Sequence, residues 1–262
     1  MIDTNQQPFR LDGRTVFLSG AAGHLGRAMA EGFSAAGAHV ILNGRTAATL
    51  EALAAELPGP TSVAAFDVTD AAAATAYFCG LERLDVLVNN AISGVGGSGP
   101  DDAAEAFRAT LECGLVATHR NVMAALPALE AAAGAAGEAS VINVTSIWAR
   151  VSPDPAMYQG YGIEAPPAYG AIKAGLMQLT RHMAVRLAPK RIRVNSLSPG
   201  IFPWPRVERD MPDFVARASA KSPMARLGEA SEIAGPAVFL ASRASSYMTG
   251  ADLLIDGGWT AW

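Results

Sequence analysis

The chain has 262 residues, half of them hydrophobic and 17% charged, with a formal charge of −4. That size and apolar share suit one large α/β domain with a buried core, here residues 1–262, and an acidic balance with no basic stripe excludes nucleic acid and anionic membrane as expected partners. Cys79 and Cys113 are too few for a disulfide framework, the four histidines (His24, His39, His119 and His182) lack metal-ligand spacing, and no apolar run reaches bilayer length. A cytoplasmic protein without a leader or a metal is expected.

In chain order, residues 15–19 (TVFLS) read as a short apolar strand, followed by Gly20, Gly23 and Gly26 and then an apolar-periodic helix through Met29 and Phe33. A strand that runs into glycines and then a helix is the context of a dinucleotide-binding turn, where glycines allow close backbone approach and the helix N-terminus takes a pyrophosphate. Further strands are expected at 39–42, 63–66, 85–88, 140–144, 193–196 and 252–255, with helical stretches between most of them. Repeated β-α-β order predicts a single Rossmann-like, doubly wound parallel sheet of about seven strands with helices on both faces. Residues 131–137 (AAAGAAG) are expected to form a flexible connection, and 153–167 is the longest non-periodic segment.

Beyond that segment lies Tyr169-Gly-Ala-Ile-Lys173. Residues four apart share a helix face, which places the Lys173 ammonium beside the Tyr169 phenol. A phenol titrates near pH ~10, and an adjacent positive charge is expected to pull that value down toward useful acid–base chemistry.

These motifs occur in a recognisable order: Ser19-Gly-Ala-Ala-Gly23-His-Leu-Gly26, Asp67-Val68, Asn89-Asn90-Ala91, Ile142-Asn-Val-Thr-Ser146, Tyr169-x-x-x-Lys173, Asn195-Ser-Leu-Ser-Pro199-Gly200 and Thr249-Gly250…Asp256-Gly257-Gly258. In that order, over nearly the whole length, the chain resembles the short-chain dehydrogenase/reductase family in its single-domain branch. The resemblance implies that Ser146 binds the substrate carbonyl, Tyr169 is the general acid/base, and Lys173 tunes Tyr169 and holds cofactor ribose. It implies cofactor contacts from Ser19, Gly20, Gly23, His24, Leu25 and Gly26 in the turn and from Asp67 and Val68 at the adenine. Asn90 and Ala91 then meet the ribose, and Pro199, Gly200 and Ile201 the nicotinamide. Family members are commonly tetramers, so a homotetramer or homodimer is expected.

Cofactor choice turns on Leu42-Asn43-Gly44-Arg45. NAD-preferring folds place an acidic residue after the second strand. Here Gly44 takes that place and Arg45 offers a permanent forked charge for a 2′-phosphate, so NADP(H) is favoured over NAD(H). The chain departs from the family pattern in several places: Ser19 stands for a usual threonine, and the Gly20/Gly23/Gly26 spacing is one also seen in the family's extended branch. Ile92 replaces a usual glycine, Phe202-Pro203-Trp204 takes the place of a usual threonine, and the family's water-holding asparagine, on helix 107–127, falls on Gly114 or one residue earlier on Cys113.

Twenty-three positions separate Ser146 from Tyr169, more than is usual in the family. The extra stretch carries Tyr158, Gln159, Tyr161 and Glu164, which are expected to hydrogen-bond a polar small-molecule substrate of the polyol, sugar-acid or modified-sugar type. The competing expectations are a 3-oxoacyl thioester reductase and a non-catalytic NAD(P)-binding sensor or scaffold.

Overall fold

The computed structural model describes residues 7–92 and 100–262. Among them, seven strands form one sheet: β1 (Thr15–Leu18), β2 (His39–Gly44), β3 (Thr61–Ala65), β4 (Val86–Asn89), β5 (Ala139–Val144), β6 (Ile192–Pro199) and β7 (Asp252–Ile255). The order is β3-β2-β1-β4-β5-β6-β7, and every pairing is parallel. The order reverses between β1 and β4, which opens a crevice at the carboxyl ends of those strands.

The apolar runs follow from burial on both faces. Successive side chains of β1 point to opposite sides. Val16 and Leu18 pack with Met29 and Phe33 of helix α1 (His24–Ala35), Leu50 and Leu53 of α2 (Ala47–Glu56) and Leu240 of α9 (Ala234–Ala241). Phe17 faces the other way, onto Phe78 of α3 (Ala71–Cys79), Val122 and Leu129 of α5 (Thr118–Ala136) and Met183 of α6 (Pro167–Leu187). Burying each such side chain contributes about 1.5–3 kcal/mol.

Two expectations change. Residues 131–137 are not a connection: they form the end of α5, where alanine's helix propensity outweighs Gly134, and Gly137 ends the helix in the left-handed region at φ 88°. The expected helix 107–127 is also not one regular helix. Helix α4 (Pro100–Leu111) passes into α5 through a π-helical turn, Glu112–Ala117, that contains Gly114. There the chain lies so close to α6 that a Cβ on Gly114 would stand 2.6 Å from Ile172 Cγ2, and one on Gly175 would stand 3.0 Å from Leu115 Cδ1. The close packing excludes an asparagine side chain at position 114.

Beyond the carboxyl edge sits a small lobe made of α7 (Pro205–Asp210), α8 (Pro212–Lys221) and a 3-10 turn, Pro155–Tyr158. Its own apolar centre is Met157, Phe214 and Ala218, against which Trp148, Tyr158 and Ile201 pack.

Candidate active site

At the carboxyl ends of β1 and β4 the Ser19 hydroxyl donates to Val88 O (3.1 Å) and accepts from the N–H groups of Asn90 (2.9 Å) and Ala91 (3.1 Å). Asn90 Nδ2 answers by donating to Ser19 O and Gly20 O, at 3.0 and 3.2 Å. The turn that follows leaves no room for side chains. A Cβ on Gly26 would stand 2.1 Å from Gly20 O, and Gly20 itself has φ +65°. Helix α1 begins at His24 with no side-chain cap and no acidic residue in its first turn, so its N-terminal N–H groups face outward.

This turn forms one end of a cleft of about 500 Å³. Along its floor the structure brings together Gly20, Gly23, His24, Leu25 and Gly26, then Arg45, Asp67, Val68, Asn90 and Ala91, and at the far end Ser146, Tyr169, Lys173, Pro199 and Gly200. Ser19 does not line the cleft; it is buried beneath it as the tie just described. Ile201 faces the small lobe, with its carbonyl accepting from Gly228 N.

At the end of the cleft beside β2 Arg45 is exposed, and Asn43 donates to the carbonyls of Ala64 and Phe66. Asp67 does not cap α3, since Asp70 accepts from Ala72 N and Ala73 N there. Burial pushes the Asp67 carboxyl up, but the N–H and hydroxyl of Thr69 and the nearby Arg45 charge outweigh it and hold the carboxyl below its ordinary value.

At the far end Ser146 follows β5 and caps the 3-10 turn Ile147–Ala149, its Oγ accepting from Trp148 N at 3.2 Å. Its hydroxyl lies near the Tyr169 phenol and lowers that group's value. Lys173, one turn along α6, is buried; its Nζ donates to Val144 O at 2.6 Å and stands 5.5 Å from the centre of the Tyr169 ring. Burial lowers the Lys173 ammonium from 10.5 to about 8, partly offset by the neighbouring Cys113. The expected fall in the Tyr169 value is not found. Desolvation raises it more than the Ser146 hydroxyl lowers it, and Lys173 is bonded to a carbonyl, not to the phenol.

Sequence reading missed Asn43, Thr145, Phe202 and Trp204 as lining residues. Trp204 stacks on the His24 ring, with centroids 4.8 Å apart and planes at 27°. No local pattern signals such a contact between distant segments. His24 Nε2 is buried without a protein partner among the described residues. Cys113 lines the cleft as well, its Sγ donating to Ala91 O at 3.7 Å.

The four loop residues stand elsewhere. Tyr158 packs on Phe214, and the Gln159 carbonyl accepts from Arg217. Tyr161 Oη accepts from Asp213 N, and Glu164 is exposed. None of the four lines the cleft, because the loop folds down onto α8. Among the described residues no cluster of His, Cys, Asp or Glu fits a metal ion, and no helix is long and apolar enough to cross a membrane.

A family model described as enoyl-(acyl carrier protein) reductase matches residues 20–260. The galactitol 2-dehydrogenase (L-tagatose-forming) of Cereibacter sphaeroides is 35% identical over 260 residues, covering 97% of this chain and 98% of that protein. The trans-4-hydroxycyclohexanecarboxylate dehydrogenase of Sinomonas cyclohexanicum is 36% identical over 265 residues, covering 96% and 95%. Among solved structures, the RhlG/NADP active-site complex of Pseudomonas aeruginosa aligns with a TM-score of 0.87 and 30% identity, covering 97% of this chain and 99% of that one. Agreement over the whole sheet, not at one motif, carries the assignment: the chain belongs to the short-chain dehydrogenase/reductase family and is an NAD(P)-dependent oxidoreductase that interconverts secondary alcohols and ketones.

Proposed function

We propose that the enzyme prefers NADP(H), acts on a polar, hydroxylated substrate, and works through Ser146, Tyr169 and Lys173. The observation that carries this reading is that Ser146, Tyr169 and Lys173 line the same end of one cleft, with Lys173 Nζ 5.5 Å from the centre of the Tyr169 ring.

The residues present fit a dinucleotide. The uncapped start of α1 and the glycines that accept no Cβ suit a diphosphate, and the unpartnered His24 Nε2 supplies one further donor beside it. Arg45 stands where a 2′-phosphate would be met, and Gly44 offers no carboxylate to bind free ribose hydroxyls or to repel that phosphate. The bound nicotinamide supplies or accepts the hydride.

The protein then has to place the carbonyl and move one proton. The Ser146 hydroxyl donates to the substrate oxygen and orients it, and Tyr169 Oη gives its proton to that oxygen as negative charge develops. Burial keeps the phenol protonated in the ligand-free protein, which suits it as the acid in reduction. Lys173 Nζ, held by Val144 O, sets a positive field beneath the ring. The same three groups run in reverse for alcohol oxidation.

Assembly as a homotetramer or homodimer is part of the reading, supported by the exposed apolar side chains of Leu111, Val116, Met123 and Val185. A cytoplasmic site is supported by Cys79 and Cys113, which form no disulfide with each other.

Absorbance of NADPH and NADH with a ketone panel, from keto-sugar acids to acetoacetyl thioesters, tests the function. NADPH oxidation on a polar ketone, lowered about 10²–10⁴-fold in Tyr169→Phe with cofactor binding retained, is expected. Turnover confined to thioesters would replace this reading with the acyl one. Arg45→Ala is expected to weaken NADP⁺ binding about 10- to 100-fold in a fluorescence titration and to leave NAD⁺ nearly unchanged; equal loss for both contradicts the preference.

Lys173 gives a pH prediction. Its folded value of about 8 lies below the ordinary 10.5, so between those values the unfolded chain binds more protons than the folded one. Stability from this group therefore rises with pH across that window, and the cost of burying the ammonium is full below about 8. The Tm of the wild type minus that of Lys173→Met should rise from pH 8 to 10.5; a flat difference would contradict it.

A further inference from the structure

The segment between Ser146 and Tyr169 builds a second cavity, of about 440 Å³, outside the cofactor cleft. Its walls include Trp148, Arg150, Tyr158, Pro166 and Pro167, and Tyr169 lines both this cavity and the cleft. The aromatic wall is fixed from behind. Trp148 meets Trp259 edge-on at 5.9 Å, and Tyr158 packs on Phe214 at 5.3 Å over the buried Met157.

Arg150 is the one charged residue among those lining this cavity. Its Nε donates to Asp252 Oδ2 at 2.9 Å, and among the described residues the guanidinium has no other hydrogen bond. Asp252 is buried on β7 and is already served at Oδ1 by the hydroxyls of Ser196 and Ser198, each at 2.6 Å. Asp252 therefore needs only the Nε edge of Arg150 and holds that side chain in one orientation. The Arg150 side chain is 37% exposed, and its Nη edge makes no hydrogen bond among the described residues. The nearby carboxylates do not compete, since Asp154 is paired with Lys221 at 2.5 Å and Glu164 does not line the cavity. A held guanidinium with a free fork, beside two aromatic rings, has the chemistry of a carboxylate anchor.

We propose that this cavity holds the far end of the substrate and that Arg150 takes a carboxylate there, which makes the substrate a hydroxy or keto acid. The proposal rests on the reading of Tyr169 as proton donor, because Tyr169 is the wall common to the two cavities. It also gives the extra length of the loop a use that Gln159, Tyr161 and Glu164 do not supply.

The test compares kcat/KM with NADP⁺ for matched pairs: trans-4-hydroxycyclohexanecarboxylate against its carboxamide, and gluconate against glucitol. The variants are Arg150→Gln, Arg150→Lys and Asp252→Asn. The wild type is expected to favour the acid of at least one pair. Arg150→Gln should cut that acid-to-neutral ratio about 10- to 100-fold, chiefly through KM, with Arg150→Lys between the two. Asp252→Asn breaks the ion pair but keeps the cation, so its ratio should stay near that of the wild type. If Arg150→Gln and Asp252→Asn lower both members of a pair alike, Arg150 is only a tie to β7 and the proposal fails. It fails also if the wild type uses neutral members as well as acids, which leaves the reductase reading standing. NADP⁺ binding without turnover of any of the four, together with no NADPH oxidation on the ketone panel, overturns both.

Discussion

The Ser19 hydroxyl makes three hydrogen bonds at the point where β1 and β4 end, donating to Val88 O and accepting from Asn90 N and Ala91 N. At that point the strand order reverses and the glycine turn departs toward α1. The hydroxyl satisfies buried backbone groups that strand pairing no longer serves. It also fixes the separation of the two strand ends that bound the crevice. The cleft floor, the uncapped start of α1 and the route from Arg45 to Tyr169 all take their positions from this tie. A side chain that sequence reading placed against the ligand thus acts one layer beneath it.

Burial organises the chemistry at the other end. It raises the Tyr169 phenol and lowers the Lys173 ammonium to about 8, so two values that ordinarily lie close together move apart. A simple cation-beside-phenol picture predicts a fall at Tyr169, but the desolvation of both groups is the larger effect here. The packing that buries them is tight: Gly114 in the π-helical turn sits against Ile172, next to Lys173 in sequence, and Cys113 reaches the cleft from the same turn. At Gly114 the space a side chain would take is therefore filled by the neighbouring helix, and the contact there is an apolar one.

Most of the architecture was legible because its signals are local. The central strands β4, β5 and β6 are short apolar runs buried on both faces, and the runs at 15–19, 85–88 and 252–255 match the strands found to within one residue at each end. Tyr169 and Lys173 share a helix face by spacing alone, and the glycine turn needs only contiguous residues. What could not be read arises between distant segments. The stack of Trp204 on His24, the reach of Arg150 to Asp252 and the folding of Tyr161 onto Asp213 join residues with no common pattern. The expected break at 131–137 failed for the opposite reason, since alanines carry the helix through Gly134 until Gly137 stops it. The loop's hydroxyl and carboxyl groups suggested direct substrate contacts, whereas its fold spends most of them on the small lobe and leaves the cavity to Arg150 and the aromatic rings.

The central claim is that Tyr169 Oη delivers the proton as hydride crosses the cleft. The most direct measurement is a single turnover of bound NADPH with a reducible ketone, followed by stopped-flow absorbance in H₂O and in D₂O. The account predicts a slower transfer in D₂O for the wild type and almost no transfer in Tyr169→Phe with NADPH still bound. Hydride transfer in Tyr169→Phe at the wild-type rate would contradict it.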